Sequence, residues 1–188
     1  MFVSVRHVPI KKQTHKTSCW ISAAHYTLCY LGLPDLPALK TLEDTHYAPD
    51  SESASSMTGA GSPEKLLTLY GTAHGYTVTT MKLDDHGDGE IIDAIFNAIS
   101  NNVPVIAGIR SSQIHGFGHA IVITSINRST GTIAYKDPAN INSSNPFLTD
   151  IRVSSVKEFR DGFSYRYHNG LHTNIWAFCS RIITIQKG

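Results

Sequence analysis

The sequence predicts an α+β fold, with helices in the first half of the chain and antiparallel strands in the second. Apolar residues recur at helical spacing directly after Ser18 and again over residues 90–101. From His119 onward, short apolar runs alternate with turn residues, which is typical of antiparallel strands. Helices that precede a block of strands favour an α+β arrangement over alternating βαβ units. The 188 residues contain no internal repeat and no linker, so we expect a single domain over residues 1–188.

The first helix is the best-defined element of the sequence. It follows an extended lead-in over residues 1–12, and Thr17 and Ser18 are typical N-cap residues. Gly32 and Pro34 end it. Its buried face has helical spacing and consists of Trp20, Ala24, Leu28 and Leu31.

The middle of the chain alternates between loop, helix and strand. Residues 44–62 are rich in Ser, Ala and Gly and predict a surface loop. Ser62 and Pro63 resemble an N-cap followed by proline at the first helical position, and Gly75 closes that helix. The elements expected next are a strand over 76–83, an amphipathic helix over 90–101 and a buried strand over 104–109.

The second half of the chain predicts a β-hairpin and then further strands. Apolar runs over 119–126 and 132–137 are separated by the turn residues 127–131. Three more elements are expected beyond the hairpin: a strand over 148–153, a helical turn over 156–161 and a closing strand over 174–185. The expected architecture is therefore an N-terminal helix packed against a C-terminal antiparallel sheet.

Charge and hydrophobicity exclude two classes of partner. The 16 basic and 15 acidic residues give a net charge of +1, so the chain lacks the basic stripe that neutralises nucleic-acid phosphates. No apolar run approaches the roughly 20 residues that a membrane span needs. With 41% hydrophobic and 16% charged residues, the composition is that of a globular protein. We expect neither nucleic acid nor a membrane as a partner.

The three cysteines, Cys19, Cys29 and Cys179, are odd in number and widely spaced. Such a set is not a disulfide framework, and without a CxxC pair a structural zinc site is not expected. Residues 1–12 lack the continuous apolar run of a signal peptide. The expected setting is a reducing compartment such as the cytoplasm, where a free thiol persists. Neither a metal nor a cofactor is expected.

Cys19 is the candidate nucleophile. It lies where the first helix begins, and the unpaired amides and the dipole of a helix N-terminus stabilise a thiolate. On composition alone, a cysteine is more often a small buried residue. The position beside the caps favours a reactive thiol, because packing alone does not require a cysteine there. Gln13, six residues upstream, has a side-chain amide that could join the Cys19 backbone N–H in stabilising an oxyanion.

His119 and Asp137 are the candidate base and the carboxylate that orients it. If the hairpin turn centres near Ser129, residues whose numbers sum to about 258 face each other, so His119 opposes Ala139. Asp137 then lies one same-face step from His119, because side chains two apart share a face of a strand. A nucleophile, a base and a group that orients the base are the parts of a catalytic triad. The alternative for His119 is an ordinary residue at the rim of a sheet.

Other chemistry-bearing residues fit structural roles better. Trp20 is expected in the core, and Cys29 and Cys179 are expected to be buried thiols. An aromatic segment is expected to form a loop that either lines a cleft or packs against the protein, and it consists of Phe163, Tyr165, Tyr167 and His168.

Four short motifs resemble the papain-like cysteine peptidase superfamily: Gln13, the helix start Ser18-Cys19-Trp20, Gly118-His119-Ala120 on a strand, and Asp137-Pro138 after the next strand. The resemblance spans residues 13–138 and is closest to compact bacterial branches, including C39-type peptidase domains and papain-like secreted effectors and toxins. It implies that Gln13 completes the oxyanion hole and that Cys19 is the nucleophile. It also implies that His119 is the general base and then the acid, and that Asp137 orients it.

The departures from the superfamily pattern concern specificity rather than mechanism. The usual Cys-Gly-Ser-Cys-Trp stretch is reduced to residues 17–20. Cys19 and His119 are 100 residues apart, below the roughly 130–150 of papain-type enzymes. Aspartate replaces the usual asparagine at position 137, and the tryptophan expected two residues later is missing. A lysosomal type of specificity is therefore not expected, whereas a Cys-His-Asp mechanism is.

The resemblance implies a cysteine endopeptidase that acts on a protein or peptide. The same residues would also serve a deamidase, a transglutaminase or a peptidoglycan amidohydrolase, because these enzymes differ only in what the cleft admits. A non-catalytic binding module is the third possibility, and four intact catalytic residue types argue against it.

The short stretch before Cys19 raises the question of how activity is restrained. We expect no propeptide within these residues, because Cys19 follows Met1 closely. We therefore expect either release from a larger polypeptide or an inhibitory immunity protein that covers the cleft. Both fit the toxin or effector of a bacterial secretion system that the resemblance implies, delivered into a target-cell cytoplasm without a signal peptide.

Overall fold

One curled antiparallel β-sheet with helices on both faces forms the centre of the protein in the computed structural model. The structure describes residues 1–6, 11–15, 18–46, 62–114, 117–140, 152–167 and 173–188. The strands are β1 (Phe2–Ser4), β2 (Tyr76–Lys82), β3 (Val105–Ser111), β4 (Gly118–Asn127), β5 (Thr132–Lys136), β6 (Arg152–Ser155), β7 (Phe163–Tyr167) and β8 (Thr173–Lys187). The α-helices are α1 (Cys19–Tyr30), α2 (Leu39–His46), α3 (Pro63–Gly71), α4 (Asp88–Ser100) and α5 (Val156–Asp161).

The sheet is antiparallel throughout and follows the order β2-β8-β3-β4-β5-β6. Strand β1 pairs with the end of β4, and β7 pairs with the start of β8. Most helices come from the first half of the chain and most strands from the second, so the predicted α+β class is confirmed. Each helix in the described residues is too short or too polar to cross a bilayer.

Strand β4 lies at the centre of the sheet and is buried on both faces. Ala120 and Val122 point towards the cluster formed with α1, α2 and α3. Ile121 and Ile123 point the other way, into the cluster formed with α4 and α5. A strand covered on both faces needs an almost continuous apolar sequence, which explains the uninterrupted run that follows His119.

Helix α1 is buried along most of its length and brings Cys19 to the sheet. Residues 19–28 are all buried, because the helix packs against β4 and against α2 and α3. Gly32 follows the helix with a φ of 64°, a left-handed conformation that glycine adopts without steric cost. The predicted helix is therefore confirmed, but its cap is not. The Ser18 side chain makes no capping hydrogen bond, and Thr17 lies outside the described residues.

Two elements differ from the prediction. Helix α2 was not expected, because it has only eight residues and its buried face carries Glu43 beside Leu39 and Leu42. The predicted aromatic loop is instead strand β7, which pairs with β8. Its aromatic residues alternate with polar ones, which is the period of a half-buried strand, while His168 lies outside the described residues.

The bounds of two further predictions are only partly described. In the loop predicted over 44–62, residues 44–46 belong to α2 and residues 47–61 lie outside the described residues. In the strand predicted over 148–153, the described part begins with β6 and residues 148–151 lie outside it. The helix that begins at Pro63 continues as a short 3-10 turn to Gly75, where the sequence predicted its end.

Candidate active site

Cys19 is the first residue of α1 and lies beside His119. The residue is only 5% exposed, and its thiol is close enough to the imidazole to contribute to raising the pKa of His119. The amides of the first helical turn have no partners within the helix, so this position favours a negative charge on sulfur. The structure therefore brings together the two residues that the sequence proposed as nucleophile and base.

The hairpin formed by β4 and β5 contains a bulge that changes its register. Near the turn, Asn127 faces Thr132, so the numbers of facing residues sum to 259. The register shifts at Thr124, which has no partner residue in the ladder. Beyond it, Val122 faces Lys136, and the sum becomes the 258 that the sequence analysis assumed.

This bulge decides which face of the hairpin Asp137 occupies. Continued by one residue, the register beyond the bulge puts Asp137 opposite Ile121. Ile121 is two residues from His119, so Asp137 and His119 lie on the same face of the hairpin. A hairpin without the bulge would put Asp137 opposite Val122 and turn its side chain away, because a shift of one residue exchanges the faces. The expected contact is present, since Asp137 Oδ1 lies 2.7 Å from His119 Nε2.

The Asp137 carboxylate is buried and held at both oxygens. Oδ1 accepts the hydrogen bond from His119 and one from the backbone N–H of Ala139 at 2.9 Å. Oδ2 accepts a hydrogen bond from the Tyr165 hydroxyl at 2.5 Å. Because Asp137 occupies Nε2, the ring nitrogen left to face Cys19 is Nδ1.

The charges of this pair are coupled. Burial lowers the pKa of His119, but the attraction of Asp137 and Cys19 outweighs burial and raises that pKa to about 10. Burial raises the pKa of Asp137, but His119 and the hydrogen bonds from Tyr165 and Ala139 outweigh it and lower that pKa to about 2. At neutral pH the two side chains therefore form an imidazolium–carboxylate ion pair next to the thiol.

Tyr165 belongs to the site, whereas the sequence predicted an aromatic loop here that either lines a cleft or packs against the protein. Its ring is buried, and its centroid lies 5.7 Å from that of His119 and 6.2 Å from that of Phe117. Burial and the nearby Asp137 carboxylate raise the pKa of Tyr165 far above its ordinary value, so its hydroxyl stays protonated and donates. The alternation of aromatic and polar residues over 163–167 was the signal that could have identified a buried strand here.

Gln13 lies beside the end of the hairpin. Its backbone N–H donates to the Pro138 carbonyl at 3.4 Å, which brings the segment before α1 next to Asp137. Its side-chain nitrogen donates to the His15 carbonyl at 2.8 Å. An amide nitrogen carries two hydrogens, and this bond uses one of them.

The other two thiols lack such surroundings. Burial raises the pKa of Cys179 to about 12, and burial also raises the pKa of Cys29. Cys179 is buried as predicted, whereas Cys29 is only partly buried. The Cys29 sulfur lies 3.8 Å from the His25 ring, and burial lowers the pKa of that histidine. Among the described residues, no three metal-ligating side chains come together.

Comparison with solved structures finds the same fold. A double glycine motif protease from an AMS/PCAT transporter, solved in complex with its leader peptide, superposes with a TM-score of 0.54 at 12% identity. The match covers 100% of this chain and 99% of that one, and at this identity it shows the fold alone. The Pseudomonas avirulence protein AvrPphB matches over 94% of this chain and 96% of its own, at 11% identity and a TM-score of 0.31, too low to support an argument.

Comparison with protein families identifies the chain more directly. The Peptidase_C39-like family matches residues 5–169, which include Gln13, Cys19, His119 and Asp137. No curated protein sequence matches the chain. Since the family match covers most of the sequence, the chain belongs to the Peptidase_C39-like family and is a papain-like cysteine protease.

Proposed function

We propose that this protein is a cysteine endopeptidase in which Cys19 attacks a peptide bond and His119 transfers the protons. The observation that carries the proposal is the buried Cys19 at the start of α1 beside His119, whose imidazole is paired with Asp137 at 2.7 Å. In this mechanism the thiolate adds to the carbonyl carbon and the carbonyl oxygen becomes an oxyanion. The imidazolium then protonates the leaving amine, and the C–N bond breaks to give a thioester.

The second half of the reaction uses the same residues in the opposite sense. His119, now neutral, takes a proton from water, and the resulting hydroxide adds to the thioester carbonyl. The C–S bond breaks, the acid product leaves and the thiolate is restored beside the imidazolium. The Cys19 backbone N–H and the Gln13 side chain are proposed to stabilise both oxyanions, since such donors contribute most where charge develops.

The proposed substrate is a peptide or protein segment. The double glycine motif protease, which has the same fold, was solved in complex with its leader peptide, and that complex supports the proposal. The residues proposed here would also hydrolyse a glutamine side chain, so deamidation is the alternative that the substrate assay must separate. One domain over residues 1–188 is part of the proposal, and the two helix groups that share one sheet support it.

The test compares wild-type protein with Cys19→Ala. We expect iodoacetamide near neutral pH to label Cys19 selectively, because only this thiol lies at a helix start beside an imidazolium. Cys19→Ala should lose all peptide cleavage and keep its fold, while the control variant Cys179→Ala should keep cleavage. Peptide mapping that found equal labelling of all three cysteines would contradict the assignment.

Product analysis separates the two hydrolytic functions. New chain ends in an incubated peptide indicate an endopeptidase, whereas conversion of a side-chain amide to an acid without chain cleavage indicates a deamidase.

The proposal keeps the effector or toxin role and the inhibitory protein partner that the resemblance implied. Induced expression tests that role, since wild type but not Cys19→Ala should impair growth of the host, and equal growth would contradict it.

A further inference from the structure

We infer that Glu43 is a positioning residue that fixes the turn between Gln13 and Cys19 and thereby sets the geometry of the oxyanion hole. The inference rests on the proposed function. It adds a residue of α2 to a site that the sequence motifs confine to Gln13, α1 and the hairpin.

Glu43 is a fully buried carboxylate on α2. Its Oε1 accepts hydrogen bonds from the Thr14 backbone N–H at 3.0 Å and from the Ser18 hydroxyl at 2.6 Å. Its Oε2 accepts from the Thr14 hydroxyl at 2.5 Å. A buried charge is tolerated only when such donors surround it, and here these donors come from the turn before α1.

The two anchored residues are the neighbours of the two proposed oxyanion donors. Thr14 directly follows Gln13, and Ser18 directly precedes Cys19. The Ser18 hydroxyl, which the sequence analysis assigned to the helix cap, is directed to Glu43 instead. One carboxylate therefore holds both ends of the turn, and a displacement of about 1 Å at a reacting group is enough to reduce a rate about 10²-fold.

The charge of a glutamate has the wrong sign to stabilise a thiolate. A second negative charge near Cys19 disfavours a thiolate, so loss of the Glu43 charge should leave alkylation of Cys19 as fast as before or faster. A positioning role therefore predicts slower turnover together with undiminished reactivity of the thiol. General loss of folding would reduce both.

The experiment replaces Glu43 with residues of similar length. Glu43→Met removes both acceptor oxygens and retains an unbranched helix-forming side chain, while Glu43→Gln retains one acceptor. We expect kcat to fall about 10²-fold in Glu43→Met, with KM little changed and Cys19 alkylation undiminished, and to recover partly in Glu43→Gln. The control is Asp44→Asn, the exposed neighbour on α2 that pairs with Lys40 at 3.0 Å, which should keep full turnover.

A double-mutant cycle with Gln13→Ala separates positioning from plain stability. If Glu43 acts by holding Gln13 in place, Glu43→Met should slow the Gln13→Ala protein much less than it slows wild type. Effects that simply multiply, or unchanged turnover in Glu43→Met, would overturn the inference. If Glu43→Met does not fold, Thr14→Val and Thr14→Ser replace it, since valine removes the hydroxyl donor and serine keeps it.

Failure of the proposed function would be visible separately. Wild-type protein that alkylates at Cys19 but turns over no peptide and no glutamine side chain would refute that proposal. The positioning of the turn is then judged by hydrogen exchange of the Thr14 amide. Protection in wild type and Asp44→Asn but not in Glu43→Met supports the inference, and equal exchange in all three contradicts it.

Discussion

At the scale of single residues, His119 is held as a cation from two sides. Asp137 binds Nε2 at 2.7 Å, and the attraction of Cys19 adds to that of Asp137 in raising the pKa of His119. Tyr165 in turn donates to the second oxygen of Asp137, which fixes the carboxylate plane against the ring. The arrangement gives each member a different share in the proposed chemistry, since His119 is the member proposed to move protons.

Substitutions of His119, Asp137 and Tyr165 should therefore have graded effects on turnover. His119→Ala removes both proton transfers, whereas Asp137→Ala leaves a misoriented but competent base. In a hydrolase triad these losses are about 10⁶ and about 10⁴ in kcat, and we expect the same order here. Tyr165→Phe removes one donor and should have the smallest effect on kcat, with the free energy of unfolding reduced by about 1.5–3 kcal/mol.

Steady-state kinetics and urea unfolding of the three variants test the gradation. Cys19 alkylation by iodoacetamide measures how far each variant still activates the thiol, and it should be slowed most in His119→Ala. Equal loss of kcat in Asp137→Ala and His119→Ala would mean that the carboxylate does more than orient the ring.

The residues of this site that can be predicted from the sequence are those with a local signature. Cys19 is marked by the start of a helix, and His119 and Asp137 by a hairpin. Tyr165 and Glu43 have no such mark, because each meets the site through a contact between distant parts of the chain. Glutamate is rarely buried, so Glu43 looks like a surface residue in the sequence.

At the scale of elements, the hairpin determines the geometry of the site. The sequence predicts the two strands and the turn. The register assumed for them applies only on the side of the bulge at Thr124 that is away from the turn. No residue type marks that bulge, so the agreement between prediction and structure depends on a feature that the sequence pattern does not contain. Helix α2 was missed for a related reason, because it is short and its buried face carries Glu43.

The hairpin turn requires glycine at position 131. Gly131 has a φ of 66°, its N–H donates to the Asn127 carbonyl at 2.8 Å, and its own carbonyl accepts from Val156 at 2.9 Å. An alanine there must adopt a left-handed conformation, which costs about 1–2 kcal/mol. Its Cβ would also lie 3.0 Å from the Cδ1 atom of Ile92.

Gly131→Ala should lower the thermal midpoint, by roughly 2–4 °C for each kcal/mol lost. The matched control is Gly89→Ala, which lies in α4, where a Cβ would meet no atom within 4 Å. Alanine in a helix is favoured over glycine by about 0.5–1 kcal/mol, so the control should be neutral or slightly more stable. Differential scanning calorimetry gives both midpoints, and equal shifts in the two variants would be inconsistent with the turn described here.

At the scale of the whole molecule, the site is assembled from residues on both sides of the sheet. Helix α1 supplies Cys19 from one layer, while His119 shares its face of β4 with Ile121 and Ile123, which pack in the other layer. The imidazolium–carboxylate pair is therefore buried only when the whole fold is formed. The proton affinities of His119 and Asp137 then differ between the folded and unfolded chain, which makes stability depend on pH.

The sign of this dependence follows from the two pKa shifts. His119 has a folded pKa of about 10 against 6.5, so its contribution is complete below pH 6.5 and is lost as the pH rises towards 10. Asp137 has a folded pKa of about 2 against 3.8, so its contribution is complete above pH 3.8 and is lost as the pH falls towards 2. The pair therefore stabilises the fold most between about pH 3.8 and 6.5, and above that range one released proton costs at most about 1.4 kcal/mol per pH unit.

Urea unfolding of wild type and Asp137→Asn at pH 5, 7 and 9 tests this prediction. We expect the difference in the free energy of unfolding between the two proteins to be largest at pH 5 and to shrink at each higher pH, because the unfolded chain gives up the His119 proton first. The comparison cancels the titration of groups that the two proteins share, and a reducing agent keeps the three thiols free. Without its carboxylate partner, His119 is left mainly with the cost of burial, so the variant should lose less stability than wild type between pH 5 and 9. A difference that stayed constant over this range would mean that His119 is not held as a cation in the folded protein.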